Sequence, residues 1–369
     1  MRLGFVYDAV FPWEKGGVQK RLWELSYRLA DDHDVHWYGL HYWDGPPVIE
    51  RDGVTFHGVA PPQNLYVDGR RSIVEALSFA THLTKPLLGA DLDVIDCQAF
   101  PYFPCFTSKL GAARNDASLC ITWHEVWSDY WYDYLGSKGA IGKVVERACA
   151  RVPDMHLAVS DQTKTDLETI GGSDVRLLPN GIAMNEIRSA AVADVSVDLL
   201  FVGRLIPEKN PDLVLRAVDR LRETIPDVRC VLVGEGPERQ SLERTVADRD
   251  LDENVTLSPF LESYEEVLGL MKAADTFVLP SRREGFGITV LEALACGTPV
   301  TTIDHPRNAA RELVEEGKSG AVCEATPEAL AEGVLRAGAV DGDRCVETAK
   351  AYDWDRLAKR AEDLYLEAI

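Results

Sequence analysis

Short apolar runs of strand length alternate along this chain with longer stretches whose apolar positions recur every three to four residues. Residues 3–7 predict a strand. A loop follows, then a helix from about Val18, with Val18, Leu22, Leu25 and Leu29 on one face. Further strands are expected at 35–40, 55–59, 94–97, 119–122, 157–159 and 175–178, with helices over about 71–84, 138–151 and 161–170. Ser160 and Asp161 suit the start of the last helix, because their side-chain oxygens accept from first-turn N–H groups. The pattern then restarts. Residues 198–202 predict a strand, and Asn210 and Pro211 open a helix that runs to Arg222. Strands follow at 229–233, 255–258, 276–279 and 299–302, with helices between them. The stretch 353–369 is one more amphipathic helix, carrying Trp354, Leu357, Ala361, Leu364 and Leu366.

Strand and helix in alternation predict a parallel sheet covered by helices on both faces, and two such runs predict two doubly wound α/β domains. The expected division is 1–190, joined by the C-terminal helix 353–369, and 191–352. Residues 189–196 serve as the linker, with a helical turn as the alternative for their small apolar residues. Sheets of this kind bind ligands at the carboxyl ends of their strands. Two of them facing one another form a cleft, so candidate chemistry belongs in the loops that follow strands.

Charge narrows the choice of ligand. Sixty acidic residues against 39 basic ones give a net charge of −21, with −7 in residues 1–190 and −14 in 191–369. Phosphate backbones attract basic surfaces, so a nucleic-acid partner is disfavoured. Only 12 of the basic residues are Lys and 27 are Arg. An acidic, Lys-poor surface fits a high-salt cytoplasm, where ions screen self-repulsion. The expected result is a melting temperature that rises from dilute buffer to molar KCl, and a flat or falling series removes this reading. The eight cysteines are scattered without a C-x-x-C pair, which predicts reduced, mostly buried thiols. No apolar run reaches the roughly 20 residues of a membrane span. The first residues lack the apolar core and cleavage site of a signal peptide, so a cytoplasmic protein is expected. Arg70, Arg71 and Lys85 flank the apolar-rich stretch 73–88. A helix packed on the sheet accounts for that stretch, and peripheral contact with the inner face of the cell membrane is the alternative.

Four loops carry candidate chemistry. The first places Gly16 and Gly17 before a helix, where backbone N–H groups approach a phosphate and the helix dipole favours its charge. It is not the G-x-G-x-x-G fingerprint, so a nicotinamide enzyme is not indicated. In the second, His124 directly follows an apolar strand, where it can bond a sugar hydroxyl or stabilise developing charge; a packing or surface role is the alternative. The third runs Gly203-Arg204-Leu205-Ile206-Pro207-Glu208-Lys209. Its two cations beside a strand end suit a diphosphate, against a surface ion pair of Lys209 with Glu208 or Asp212. The fourth, from Glu284 through Gly285, Phe286, Gly287, Ile288 and Thr289 to Glu292, is the most informative. Its glycines leave space for a ligand against the backbone, and a helix N-terminus near Ile288 can face a phosphate. Glu284 lies in the loop and Glu292 about one turn into the helix. The two carboxylates can therefore grip different parts of one long ligand, and sugar or ribose diols suit them.

The run from Glu284 to Glu292 resembles the E-x7-E motif of retaining glycosyltransferases of the GT-B fold, especially family four. Gly16-Gly17, the Val-Gly-Arg204…Lys209 segment and Leu-Pro-Asn180-Gly181-Ile agree in kind and order. The resemblance covers nearly the whole chain and is specific in the second half. It implies a nucleoside-diphosphate sugar, GDP- or UDP-linked, as donor, and a hydroxyl acceptor on a saccharide, glycolipid or lipid-linked glycan. It further implies that Arg204 and Lys209 hold the pyrophosphate and Glu292 the ribose hydroxyls. Glu284 would contact the donor sugar, and the backbone N–H groups of Gly285, Phe286, Gly287, Ile288 and Thr289 would face sugar and phosphate. Gly17 would let the first domain close on the diphosphate, and His124 would lie near the sugar's primary hydroxyl.

The chemistry implied is stretching of the glycosidic bond toward an oxocarbenium-like state. The leaving diphosphate is stabilised by Arg204, Lys209 and a helix dipole rather than by a metal. Attack on the same face would retain the anomeric configuration. No cofactor and no metal ligand set is expected: Asp91, Asp93, Asp341 and Asp343 read as turn residues, and no His pairs with Cys or Glu at metal spacing. A nucleotide-sugar epimerase of the same fold and a non-catalytic nucleotide-sugar binding protein are the alternatives. The oligomeric state is left open.

Overall fold

The computed structural model describes residues 1–67 and 70–369, which form two compact units. The first comprises Met1–Asn180 and Trp354–Ile369. Its strands are β1 (Arg2–Val6), β2 (Asp34–Leu40), β3 (Val48–Arg51), β4 (Val54–Ala60), a small pair β5 (Tyr66–Val67) and β6 (Arg70–Arg71), then β7 (Val94–Gln98), β8 (Ser118–Trp123), β9 (Met155–Ala158) and β10 (Val175–Leu177). Among the described residues the main sheet runs β10-β9-β8-β7-β1-β2-β4-β3, parallel except for the edge strand β3, which pairs antiparallel with β4. Helices α1 (Gly17–Leu29), α2 (Ile73–Leu88), α3 (Phe103–Asn115), α4 (Tyr130–Leu135), α5 (Gly139–Cys149) and α6 (Asp161–Thr169) connect the strands.

Central strands buried on both faces read as continuous apolar runs, which is why β1, β7 and β8 were legible. Helix α3 was not expected. Pro104 falls in its first turn, where a missing N–H costs nothing, so a segment that reads as a broken loop folds as helix. Helix α2 starts at Ile73 and ends at Leu88, later at both ends than expected. It buries Ala76, Phe79, Ala80, Leu83 and Leu87, so the sheet-packing expectation describes its inner face. Its outer face leaves Ile73, Val74, Leu77 and Leu88 exposed. The C-terminal helix, Trp354–Ala368, packs on α1, with Asp355 accepting from Arg28 at 2.6 Å and Glu362 bonded to His33 at 2.9 Å.

The second unit is Gly181–Asp353. It begins with α7 (Met184–Ser189) and continues with β11 (Val197–Val202), α8 (Pro211–Leu221), β12 (Cys230–Val233), α9 (Arg239–Asp248), β13 (Val255–Ser258), α10 (Tyr264–Ala273), β14 (Ala274–Leu279), α11 (Ile288–Ala295), β15 (Val300–Ile303), β16 (Gly320–Cys323), α12 (Pro327–Ala337) and α13 (Gly342–Ala349). The sheet order is β13-β12-β11-β14-β15-β16, all parallel. Residues 181–190 belong to this unit because their polar groups are satisfied in it. The Ile182 N–H donates to Tyr352 O at 2.9 Å, and the Lys272 ammonium donates to Ala190 O at 2.5 Å. Residues 190–196 are not helical. All eight cysteines are free; Cys296 is half-buried and the others are buried.

Candidate functional site

In the second unit, β11 delivers the chain to Gly203 and Arg204. The Gly203 N–H donates to Val233 O at 3.0 Å, and the loop after β12 presses directly on this turn. A Cβ on Gly234 would lie 1.9 Å from Gly203 O, and one on Gly236 2.2 Å from Leu205 O. Only glycine permits that interlock, and Gly234 also has φ +152°. The sequence reading missed both glycines, although a G-x-G directly after the apolar run 230–233 was the available signal. Arg204 is exposed, and its side chain makes no ion pair or hydrogen bond among the described residues.

Lys209 closes a single turn, Pro207–Lys209, and its ammonium pairs with the Glu284 carboxylate. The partner is neither Glu208 nor Asp212. Both side chains are largely buried, at 18% and 15% exposure, so this pair is shielded from solvent more than an ordinary surface pair. The backbone fixes Glu284 from two sides. The Arg282 N–H donates to Glu208 O at 2.8 Å, while Glu284 donates to Arg307 O and accepts from the Ala309 N–H, each at 2.9 Å. The loop 305–309 is thus a support that the sequence did not reveal.

Gly287 caps α11 with φ +97°, and a Cβ there would meet Ala310 Cβ at 2.6 Å. The left-handed turn sets Ile288 and Thr289 in the first turn of α11, where backbone N–H groups lack helical acceptors. Phe286 is buried, edge-on to Tyr352 at 6.1 Å, and anchors the loop beside the half-buried Gly285. Glu292 accepts from the Tyr264 hydroxyl at 2.8 Å. Burial, then the Glu292 charge, raises the Tyr264 phenol and keeps it a donor. Glu284 and Glu292 therefore hold different partners, Lys209 and Tyr264.

In the first unit, Gly16 and Gly17 are exposed at the N-terminus of α1. Below them Arg21 is buried. It donates to Pro179 O at 2.6 Å, Leu178 O at 3.0 Å and Asn180 Oδ1 at 3.1 Å, tying α1 to the end of the first unit. His124 follows β8 at the carboxyl edge of the sheet and is half-buried, with Nε2 bonded to Gln98 Oε1 at 2.9 Å. Burial first, then the Arg21 charge, lowers its pKa to about 3, so the imidazole is neutral. After β1, Asp8 pairs with Arg71 beside Glu75, all three buried. Burial, then the neighbouring Asp8, raises Glu75 to about 8.

The structure thus joins Lys209 to Glu284 and mounts Gly203, Arg204, Gly285, Phe286, Gly287, Ile288, Thr289 and Glu292 on strand-end loops and on α11 of the second unit. Gly16, Gly17 and His124 lie in the first unit. Asp341 caps α13, accepting from the Asp343 N–H at 3.0 Å, and Asp93 accepts from the Arg2 N–H at 2.7 Å. Among the described residues, no three His, Cys, Asp or Glu side chains gather as a cation site, and no helix is long and apolar enough to cross a membrane.

Residues 15–186 match the family model Glycosyltransferase Family 4, and residues 185–345 match Glycosyl transferases group 1. The chain is 30% identical over 180 residues to the GDP-mannose-dependent alpha-(1-6)-phosphatidylinositol dimannoside mannosyltransferase of Mycobacterium tuberculosis (strain ATCC 25177 / H37Ra), covering 46% of this chain and 45% of that one. The matched stretch spans about half the length or less of such curated relatives. In fold it is similar to sucrose-phosphate synthase from Thermosynechococcus elongatus (TM-score 0.79, 19% identity, 99% of this chain and 98% of that one). It is also similar to Anabaena HepE in complex with UDP and glucose (TM-score 0.75, 17% identity, all of both chains). With a family 4 domain followed by a group 1 domain, each on its own Rossmann-like sheet, the chain belongs to the glycosyltransferases of the GT-B fold.

Proposed function

We propose that the protein transfers a hexose from a GDP- or UDP-linked sugar to a hydroxyl of a glycan or glycolipid acceptor, with retention of configuration and without a divalent metal. The observation that carries this reading is the arrangement at 203–209 and 284–292. A solvent-shielded Lys209–Glu284 pair, an uncommitted Arg204 and the open first turn of α11 all belong to strand-end loops of one unit. A diphosphate leaving group needs two cations and preorganised N–H donors, and a sugar needs a fixed carboxylate acceptor. The relatives' names agree with such a donor: one is GDP-mannose-dependent, and HepE was solved with UDP and with UDP-glucose.

In this reading Lys209 exchanges part of its contact with Glu284 for the diphosphate, and Arg204 meets the same group. Glu284 then accepts from sugar hydroxyls. Glu292, oriented by Tyr264, accepts from the ribose. Same-face attack leaves a phosphate oxygen as the base for the acceptor proton. Arg204 and Lys209 carry the charge stabilisation that a divalent ion supplies elsewhere, so transfer is expected to survive excess EDTA. A loss on chelation that manganese restores would overturn the metal-free part. The experiment for the whole reading is incubation with a panel of nucleotide sugars and saccharide or glycolipid acceptors. The product's anomeric configuration is read by NMR, and an inverted product removes retention.

We also propose peripheral contact with an anionic membrane through α2. Its outer face bears Ile73, Val74, Leu77 and Leu88 beside the exposed Arg70 and Lys85, and its one carboxylate, Glu75, is buried. In a chain of net charge −21, an exposed helix face without acid is where an anionic surface is tolerated. The protein is expected to sediment with vesicles containing anionic lipid, and Val74→Glu with Lys85→Glu to abolish this. Equal sedimentation of both proteins contradicts it.

A further inference from the structure

We propose that Gln98 is a positioning residue that locks His124 in its Nε2–H tautomer, so that Nδ1 offers a hydrogen-bond acceptor to a substrate hydroxyl. Strand geometry brings the residues together. Asp96 and Gln98 are two residues apart on β7, so they share one face of the sheet, and Thr122 of β8 lies in register with Gln98. Asp96, Gln98 and Thr122 are all buried.

The donors converging on Asp96 decide which way the Gln98 amide faces. The Tyr365 hydroxyl, from the C-terminal helix, donates to Asp96 Oδ2 at 2.6 Å. The Thr122 hydroxyl donates to Oδ1 at 2.8 Å, and the Gln98 amide NH2 donates to the same oxygen at 3.2 Å. Turning the amide over would set its oxygen against a carboxylate, two acceptors in contact in a buried site. With its NH2 committed to Asp96, Gln98 presents Oε1 to His124 at 2.9 Å. That contact is a hydrogen bond only when Nε2 carries the proton. A neutral imidazole has one N–H, so Nδ1 keeps its lone pair, and it takes no partner among the described residues.

Arg21 completes the arrangement. Burial raises the Asp96 carboxyl, and the hydrogen bonds from Tyr365 and Thr122 and then the buried Arg21 cation oppose that rise; at His124, burial and then the same cation disfavour the charged imidazole. Asp96 and Tyr365 therefore act on His124 through Gln98, one step removed from the reacting groups. A neutral Nδ1 accepts from an O–H and cannot donate, so the group it selects is a hydroxyl rather than a phosphate or carbonyl oxygen. This role rests on the transfer reading above, whereas the tautomer itself is testable on the free protein.

The test uses full-length protein with 15N-labelled histidine at neutral pH, alongside Gln98→Met and Gln98→Glu. The wild type is expected to show His124 with a protonated Nε2 and a bare Nδ1. Gln98→Met should show averaged tautomers and lose at least about tenfold in kcat, with the donor KM within about threefold. Gln98→Glu, with one proton shared between its carboxyl and Asp96 in place of the amide NH2, keeps an oxygen acceptor on Nε2–H, so it should recover the wild-type pattern and most of the rate. If Gln98→Met fails to fold, the wild-type and Gln98→Glu spectra decide alone. A protonated Nδ1 or averaged tautomers in the wild type overturns the lock. A Gln98→Met protein with wild-type kcat overturns the role while leaving the lock standing. If the wild type transfers no sugar, the function reading fails, and the spectrum still judges the lock.

Discussion

Lys209→Ala is expected to lower transfer by about 10²–10³-fold, roughly 3–4 kcal/mol of lost transition-state stabilisation, the range for removing one preorganised charge or donor. The size of the effect comes from the shielded pair with Glu284. In the free protein the carboxylate neutralises the ammonium. When a diphosphate arrives, the ammonium gains a more highly charged partner, and its contribution grows as the leaving group develops charge. Glu284→Ala is expected to lose transfer by at least about tenfold through lost sugar contacts. The two variants should then part in binding. Without its carboxylate partner, Lys209 is free for a phosphate, so Glu284→Ala should bind the nucleoside diphosphate as tightly as the wild type or more so. Lys209→Ala should bind it at least about tenfold more weakly. Steady-state rates and titration calorimetry, with folding confirmed by circular dichroism, check both halves. Wild-type rates in both variants would remove the assignment.

Arg21→Met is expected to destabilise the first unit by about 3–5 kcal/mol, the cost of breaking a buried charged network by deleting one partner. Three acceptors, Leu178 O, Pro179 O and Asn180 Oδ1, lose their donor together, and Asp96 loses a nearby cation. For a unit of this size the melting temperature should fall by roughly 10 °C. His124 should titrate at higher pH in the variant, because a cation that disfavours its protonation is gone. Thermal melts and histidine NMR check these together. A melting temperature within about 2 °C of the wild type would show that the network is dispensable. Arg204→Ala, exposed and unbonded, is the matched control whose melt should not move.

The two expectations differ in how far the sequence could carry them. The doubly wound class was legible because buried parallel strands and amphipathic helices impose periods that survive without tertiary information. The C-terminal helix and α11 were likewise legible, the latter because Gly287 and Gly297 bracket it. The pairing of Lys209 with Glu284 was not, since 75 residues separate them and nearer acids were equally plausible partners. Arg21 was overlooked because a charge on an apolar helix face reads as a surface residue until the carbonyls of 178–179 are seen above it. Gly234 and Gly236 escaped because their constraint is the backbone of another loop, which only the fold brings within 2.2 Å of where a Cβ would stand. Helix α3 escaped because Pro104 reads as a breaker unless its place in the first turn is known.

These differences share one cause. Periodicity reports which face of an element is buried, while a site is made of side chains from different strand ends, whose partners are set by sheet order. Order β11-β14 places the loop of Arg204 and Lys209 beside the loop of Glu284.

The most direct measurement of the central claim is calorimetric titration of the purified protein with UDP and GDP in EDTA. The account predicts that one of them binds the wild type with micromolar affinity or better and binds Arg204→Ala and Lys209→Ala at least about tenfold more weakly. If neither nucleotide binds, or if both variants bind as the wild type does, the assignment of these cations to a diphosphate is contradicted.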